Sequence, residues 1–196
     1  MDTRGARIRE KTFPASALLK QMFSLIPFPG EKTAPMIRIS GAVSRKENLL
    51  AATFLLEGNL SVLTIPPPAA SPERKARLWE ETCLELFLAP HNVSAYYEFN
   101  LSPSGHWNIY QFDSYRKGMR EEESVLSPLL QTAGNEEALQ FSLEADIGKI
   151  LPKGAEADIG VSAVLRSAGG SLTYWALAHP ASRPDFHHKG GFILKI

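Results

Sequence analysis

From residue 37 onward, apolar and polar positions alternate with period two in short runs broken by turn residues, the pattern of strands that bury one face. Residues 37–43, 49–56 and 60–65 read as three such strands, the last two separated by Glu57-Gly58-Asn59. Pro66-Pro67-Pro68, with Pro72 close behind, cannot donate to a ladder and marks a loop. Further strands are expected at 82–88, 96–101 and 106–112, the last two flanking Ser102-Pro103-Ser104-Gly105. An acidic loop follows at 121–123, then strands near 125–130 and at 141–146, 160–165, 172–178 and 192–196. In the 141–146 run Phe141, Leu143 and Ala145 share one face, and Ser142, Glu144 and Asp146 the other. About ten short strands with minor helix make this an all-β chain, an antiparallel β-sandwich without internal repeats or an interdomain linker.

The N-terminal stretch has another rhythm. Leu18, Leu19, Met22, Phe23 and Ile26 fall at helical spacing after Pro14, which predicts a short amphipathic helix over 15–26. The alternative is a loosely attached extension. Residues 1–21 are accordingly set apart from a domain spanning 22–196.

Composition narrows the function classes. With 196 residues, 44% hydrophobic and 21% charged, the chain can bury a core and is not a disordered one. Its 21 basic and 21 acidic side chains balance, which gives no electrostatic footing for nucleic acid or an anionic membrane. No apolar run reaches the roughly 18 residues of a membrane helix. A single Cys excludes an internal disulfide. Arg4, Arg7, Arg9 and Lys11 precede an apolar stretch, but Lys20 and Gln21 interrupt it and no small-residue cleavage site follows. A cytoplasmic location is the expectation.

Chemistry is suggested where polar side chains share strands with large aromatics. A tight hairpin at 102–105 would set Asn100 opposite Trp107 and Glu98 opposite Ile109, leaving Tyr97, Phe99, Leu101, Tyr110 and Phe112 on the core face. A turn one residue longer would send Trp107 to the other face. Glu85 shares a face with Cys83 and Phe87, so its carboxylate is either paired, with Arg77 or Arg116, or lines a groove. Trp175 and His179 share a face of a late strand. Aromatic rings beside carboxylates and amides are what a sugar site requires: the ring stacks its C–H face on the aromatic while polar groups fix the hydroxyls. The competing assignment for each Trp is an ordinary core position.

The stretches LWEETCLELFL (78–88), YEFNLSPSGHW (97–107) and YRKGM (115–119), with YWALAHP (174–180) and PDFHH (184–188), resemble the DOMON-like proteins, bacterial relatives of the family 9 carbohydrate-binding modules. The resemblance covers residues 22–196 and implies a β-sandwich of the carbohydrate-binding-module type. Relatives bind sugars or haem. Carried onto this chain, it points to Trp79, Glu85, Glu98, Asn100, Trp107, Tyr115, Arg116, Trp175, His179, Asp185 and His187, with Trp79 and Trp175 resembling an aromatic clamp. Where relatives carry a His early in the domain, this chain has Phe28 before Pro29.

Other chemistries have weaker footing. Haem would need axial ligands such as Met119 with His179 or His187. His179, Asp185, His187 and His188 are metal-ligand types, but their spacing matches no zinc signature, and no run of oxygen ligands marks calcium. Glu85 and Glu98 could act as acid and base on a glycoside if suitably separated. Ser102 and Ser104 form no nucleophile elbow, Cys83 reads as a buried thiol, and Gly169-Gly170 and Gly190-Gly191 are turns rather than phosphate loops. The expectation is a non-catalytic domain, without cofactor or metal, binding a saccharide or sugar-containing metabolite. In it Trp79, Trp107 or Trp175 would stack while Glu85, Glu98, Asn100 and Arg116 bind hydroxyls. The competing class is a module that docks a protein partner.

Overall fold

Residues 19–30 and 37–196 are described by the structure, a computed structural model. In chain order their strands are β1 (Leu19–Pro27), β2 (Ile37–Lys46), β3 (Leu49–Gly58), β4 (Cys83–Pro90), β5 (Tyr96–Leu101), β6 (Trp107–Phe112), β7 (Arg120–Glu121), β8 (Leu129–Gly134), β9 (Ala138–Asp146), β10 (Ala157–Arg166), β11 (Leu172–Ala176) and β12 (Leu194–Lys195). All pairings between strands are antiparallel, in the order β7-β6-β5-β4-β10-β11-β1-β2-β3-β9-β8, with β12 on the start of β10.

This curled sheet folds into two layers, and β1 belongs to both. Residues 19–25 of β1 pair with β2, while Ile26 and Pro27 pair with Ala176 and Trp175 of β11. The expected helix here is corrected to a strand. Phe23 and Leu25 are buried while Met22, Ser24 and Ile26 face outward, so period two prevails where neighbouring strands offer a ladder on both sides. Leu18, part of that helical pattern, lies outside the described residues.

The layers face each other across one core. Phe23, Ile39, Val43, Leu50, Phe54, Phe141 and Leu143 from the first layer meet Leu84, Leu86, Leu88, Phe99, Ile109, Val161, Leu165 and Trp175 from the second. Each fully buried Leu, Ile or Phe contributes about 1.5–3 kcal/mol. The expected strand at 60–65 is instead a 3-10 turn at Leu60–Val62, after which Leu63 makes a lone bridge to Ser167. Residues 125–128 precede β8, whose ladder begins at Leu129.

The outward face of the second layer is also buried, which fixes where a site can form. β4 is closed off on both faces from Cys83 to Ala89. Phe87, Ala89, Tyr96, Tyr110, Phe112 and Phe192 make a second apolar cluster there, with Trp79 and Phe186 packed on it. Gly160 of β10 gives Phe192 its seat: a Cβ at that position would lie 2.4 Å from the ring.

Candidate ligand-binding site

Register places the polar residues of this face side by side. Ser162 of β10 pairs with Glu85 of β4, Glu85 with Asn100 of β5, and Asn100 with Asn108 of β6. One step along, Phe87 pairs with Glu98 and Glu98 with Tyr110. The hairpin therefore carries the longer turn: Leu101, not Asn100, sits opposite Trp107, and the Ser102 amide donates to the His106 carbonyl. That one-residue difference turns Trp107 into the core and brings Tyr110 and Phe112 to the side of Glu98.

Glu85 and Glu98 form the floor, 3% and 5% exposed. The Ser162 hydroxyl donates to Glu85 Oε2 at 3.0 Å, and Asn100 Nδ2 donates to Glu98 Oε1 at 2.8 Å. The Cys83 thiol lies 3.6 Å from Asn100 Oδ1 and orients that amide. Among the described residues, Glu85 Oε1 and Glu98 Oε2 accept no hydrogen bond.

A second chain of contacts holds the loops over this floor. Arg116 Nη2 and Nε donate to Asp185 Oδ1 at 2.8 and 3.3 Å, and the Tyr115 hydroxyl donates to Asp185 Oδ2. The Arg116 amide donates to the Tyr96 hydroxyl at 3.2 Å, and that hydroxyl shares a hydrogen bond of 2.8 Å with His187 Nδ1. His187 Nε2 lies 3.8 Å from Glu98 Oε2. Rings of Phe87, Phe112 and Tyr96 surround that imidazole at 5.3, 5.0 and 5.9 Å.

These surroundings set the protonation states. Burial first, and then the neighbouring Glu98, raise the Glu85 carboxyl to about 8. Burial raises Glu98 to about 7 against the opposing pull of Asn100 and Arg116. Burial, assisted by Arg116, drives His187 down to about 4, so it is a neutral ring. Asp185 stays below the usual carboxylate range, because the Tyr115 and Arg116 contacts outweigh its partial burial.

Above the floor opens a cavity of about 570 Å³, with Glu85, Glu98 and His187 at its base and Trp79, Arg116, Tyr174 and Phe186 among its walls. Trp79 leans on Tyr110 at 5.7 Å and Phe186 on Tyr174 at 6.0 Å.

Of the residues expected from sequence, Trp79, Glu85, Glu98, Arg116 and His187 line the cavity. Asn100, Tyr115 and Asp185 brace it from behind. Three others lie elsewhere, which corrects their assignment to this site. Trp175 is a core residue whose Nε1 donates to Thr173 Oγ1 at 3.1 Å. Trp107 is buried beneath the Arg74 guanidinium at 4.2 Å. His179 Nε2 bonds the Ile26 carbonyl at 3.0 Å and packs on Phe28. A Trp79–Trp175 clamp is therefore not formed.

The proposed metal-ligand set is also dispersed, with His188 Nδ1 accepting from the Gly190 amide and Asp185 committed to Arg116. Met119 and His187 both reach the cavity, but His187 Nδ1 is taken by Tyr96. Tyr174, Phe186, Tyr96 and Ser162 were not singled out in the sequence. Tyr174 was within reach of it, since an inward Trp175 obliges its strand neighbour to face out.

In fold, the chain is similar to a candidate carbohydrate-binding protein of Bacteroides uniformis, with a TM-score of 0.60 and 14% identity over 88% of this chain and 84% of that one. It is also similar to a family 9 carbohydrate-binding module of Caldicellulosiruptor kristjanssonii in complex with cellotriose, with a TM-score of 0.50 and 10% identity over 83% and 74%. The chain matches no protein-family model and no curated protein.

Proposed function

We propose that this domain binds a saccharide in the cavity over the second layer and releases it unchanged. The observation that carries this reading is the union, in one cavity, of aromatic walls with unpartnered carboxyl oxygens at the base. Trp79 and Phe186 offer faces for the C–H surface of a pyranose. Glu85 Oε1 and Glu98 Oε2 accept from its hydroxyls, and Arg116 Nη1, which makes no bond to a described residue, donates to them. The cellotriose complex of a similarly folded module and the DOMON-like sequence features agree with a sugar ligand.

Titration calorimetry against mono- to trisaccharides tests it. Trp79→Ala should weaken a bound sugar about tenfold or more, equivalent to about 1.4 kcal/mol or more. Absence of binding across the whole series would refute the assignment. A second reading has one observation behind it, the pair of buried carboxyls with raised proton affinity, which could serve glycoside hydrolysis. Turnover of a chromogenic glycoside that disappears in Glu98→Gln would establish it in place of simple binding.

A further inference from the structure

The carboxyl pair at the base of the cavity has no hydrogen-bonded cationic partner among the described residues. Glu85 and Glu98 are both more than nine-tenths buried, and each accepts a single bond from a neutral donor, the Ser162 hydroxyl and the Asn100 amide. Among the described residues, the cation that lines the cavity, Arg116, directs Nε and Nη2 to Asp185. His187 is a neutral ring whose Nε2 stays 3.8 Å from Glu98 Oε2, beyond hydrogen-bond distance. Hydroxyls of a neutral sugar would satisfy lone pairs without compensating charge, whereas a buried carboxylate needs a counter-charge. An ammonium supplies both, and the aromatic faces of Trp79 and Phe186 favour a cation beside them.

We propose that the cavity selects a saccharide carrying a protonated primary amine, seated with its ammonium between Glu85 Oε1 and Glu98 Oε2. This occupant rests on the saccharide reading above and narrows it to amino sugars. In the empty protein the carboxyl pair keeps its protons, one of which the ammonium replaces. Binding then balances as a doubly protonated pair plus R–NH3+ giving a pair that keeps one proton, carries one negative charge and holds R–NH3+, with one proton released to buffer. Other titratable or charged groups facing the pair are Cys83 on β4, Tyr96 on β5, Tyr110 on β6, and Arg116, Asp185 and His187 from the loops, with Glu80 at the rim. Cys83 and the two tyrosines hold their protons through neutral pH, and His187 has none to release there.

Calorimetric titration of the full chain with glucosamine and with glucose, at pH 6.5 in two buffers of different ionisation enthalpy, decides the matter. Glucosamine should bind at least tenfold more tightly, with a buffer-dependent heat corresponding to about one proton released, while the glucose heat is the same in both buffers. Glu85→Gln with Glu98→Gln should abolish both the preference and the proton release, the fold being checked by circular dichroism. Equal or tighter binding of glucose overturns the amino-sugar assignment and leaves the saccharide reading standing. Binding of neither sugar overturns both. Calcium chloride alone releasing the same proton, with no gain for glucosamine over glucose, would overturn it in favour of a cation site.

Discussion

Glu85 is buried against Glu98 because β4 and β5 pair Glu85 with Asn100 and Phe87 with Glu98, and that placement makes stability depend on pH. Its folded-state proton affinity is raised from 4.5 to about 8, so its contribution is complete below pH 4.5 and is lost as pH rises towards 8. His187 runs the other way: depressed from 6.5 to about 4, its contribution is lost as pH falls below 6.5. Between pH 6.5 and 8 the carboxyl pair therefore governs, at up to about 1.4 kcal/mol per pH unit for each group still protonated in the fold. Urea midpoints should fall across that interval by an amount equivalent to about 2 kcal/mol. Glu85→Gln should flatten the profile, and an unchanged slope would show that another group titrates. Trp79, Arg116 and His187, which lie outside the strands, were pointed to by the family resemblance, and Glu85 and Glu98 were legible as carboxylates on strands that also carry large aromatics. Trp107 and Trp175 were not, because a Trp on a strand looks the same whether it faces ligand or core until the register is known.

At the scale of elements, strand positions were legible wherever alternation ran for five residues or more, as in β9, where Phe141, Leu143 and Ala145 face the core. Short apolar runs misled. Residues 60–65 have strand composition but no free edge to pair with beyond one bridge, and 15–26 have helical spacing in a stretch that supplies β1, the joint between layers. A buried guanidinium is another device that composition conceals. Arg45, near the end of β2, donates to the carbonyls of Glu47, Ala155, Leu151 and Pro152, tying the β2–β3 turn to the link between β9 and β10. Arg45→Met would fill the space while leaving the buried Leu151 carbonyl and the three part-buried ones without their donor, a loss of about 1–3 kcal/mol. Arg45→Lys should recover little, since an ammonium cannot span four carbonyls in a fork. Chemical denaturation checks both variants, and a loss below about 1 kcal/mol in Arg45→Met would mean that water replaces the guanidinium.

The whole molecule depends on β1 in a way that neither layer alone reveals. Its pairing with β2 on one side and with β11 at its far end makes it the strand along which the two layers are continuous. Phe23 sits at the centre of that joint, edge-on to Phe54 at 5.5 Å and opposite Gly41, whose missing side chain leaves room for the ring: a Cβ there would lie 2.6 Å from Phe23 Cζ. Phe23→Ala should cost about 3–5 kcal/mol. The way the loss is distributed discriminates between one cooperative unit and two. Trp107 and Trp175 lie in the core shared by the two layers, so tryptophan emission follows the contact between them, whereas far-ultraviolet dichroism follows the strands of both. If the layers unfold together, the two probes should give coincident urea transitions in the native chain, and Phe23→Ala should move both to the same lower midpoint. An emission change that precedes the dichroism transition in Phe23→Ala would mean that the layers part while the strands of the cavity-bearing layer persist. A saccharide that binds in the cavity would then raise the dichroism midpoint more than the emission midpoint, because ligand binding stabilises only the unit that contains the site.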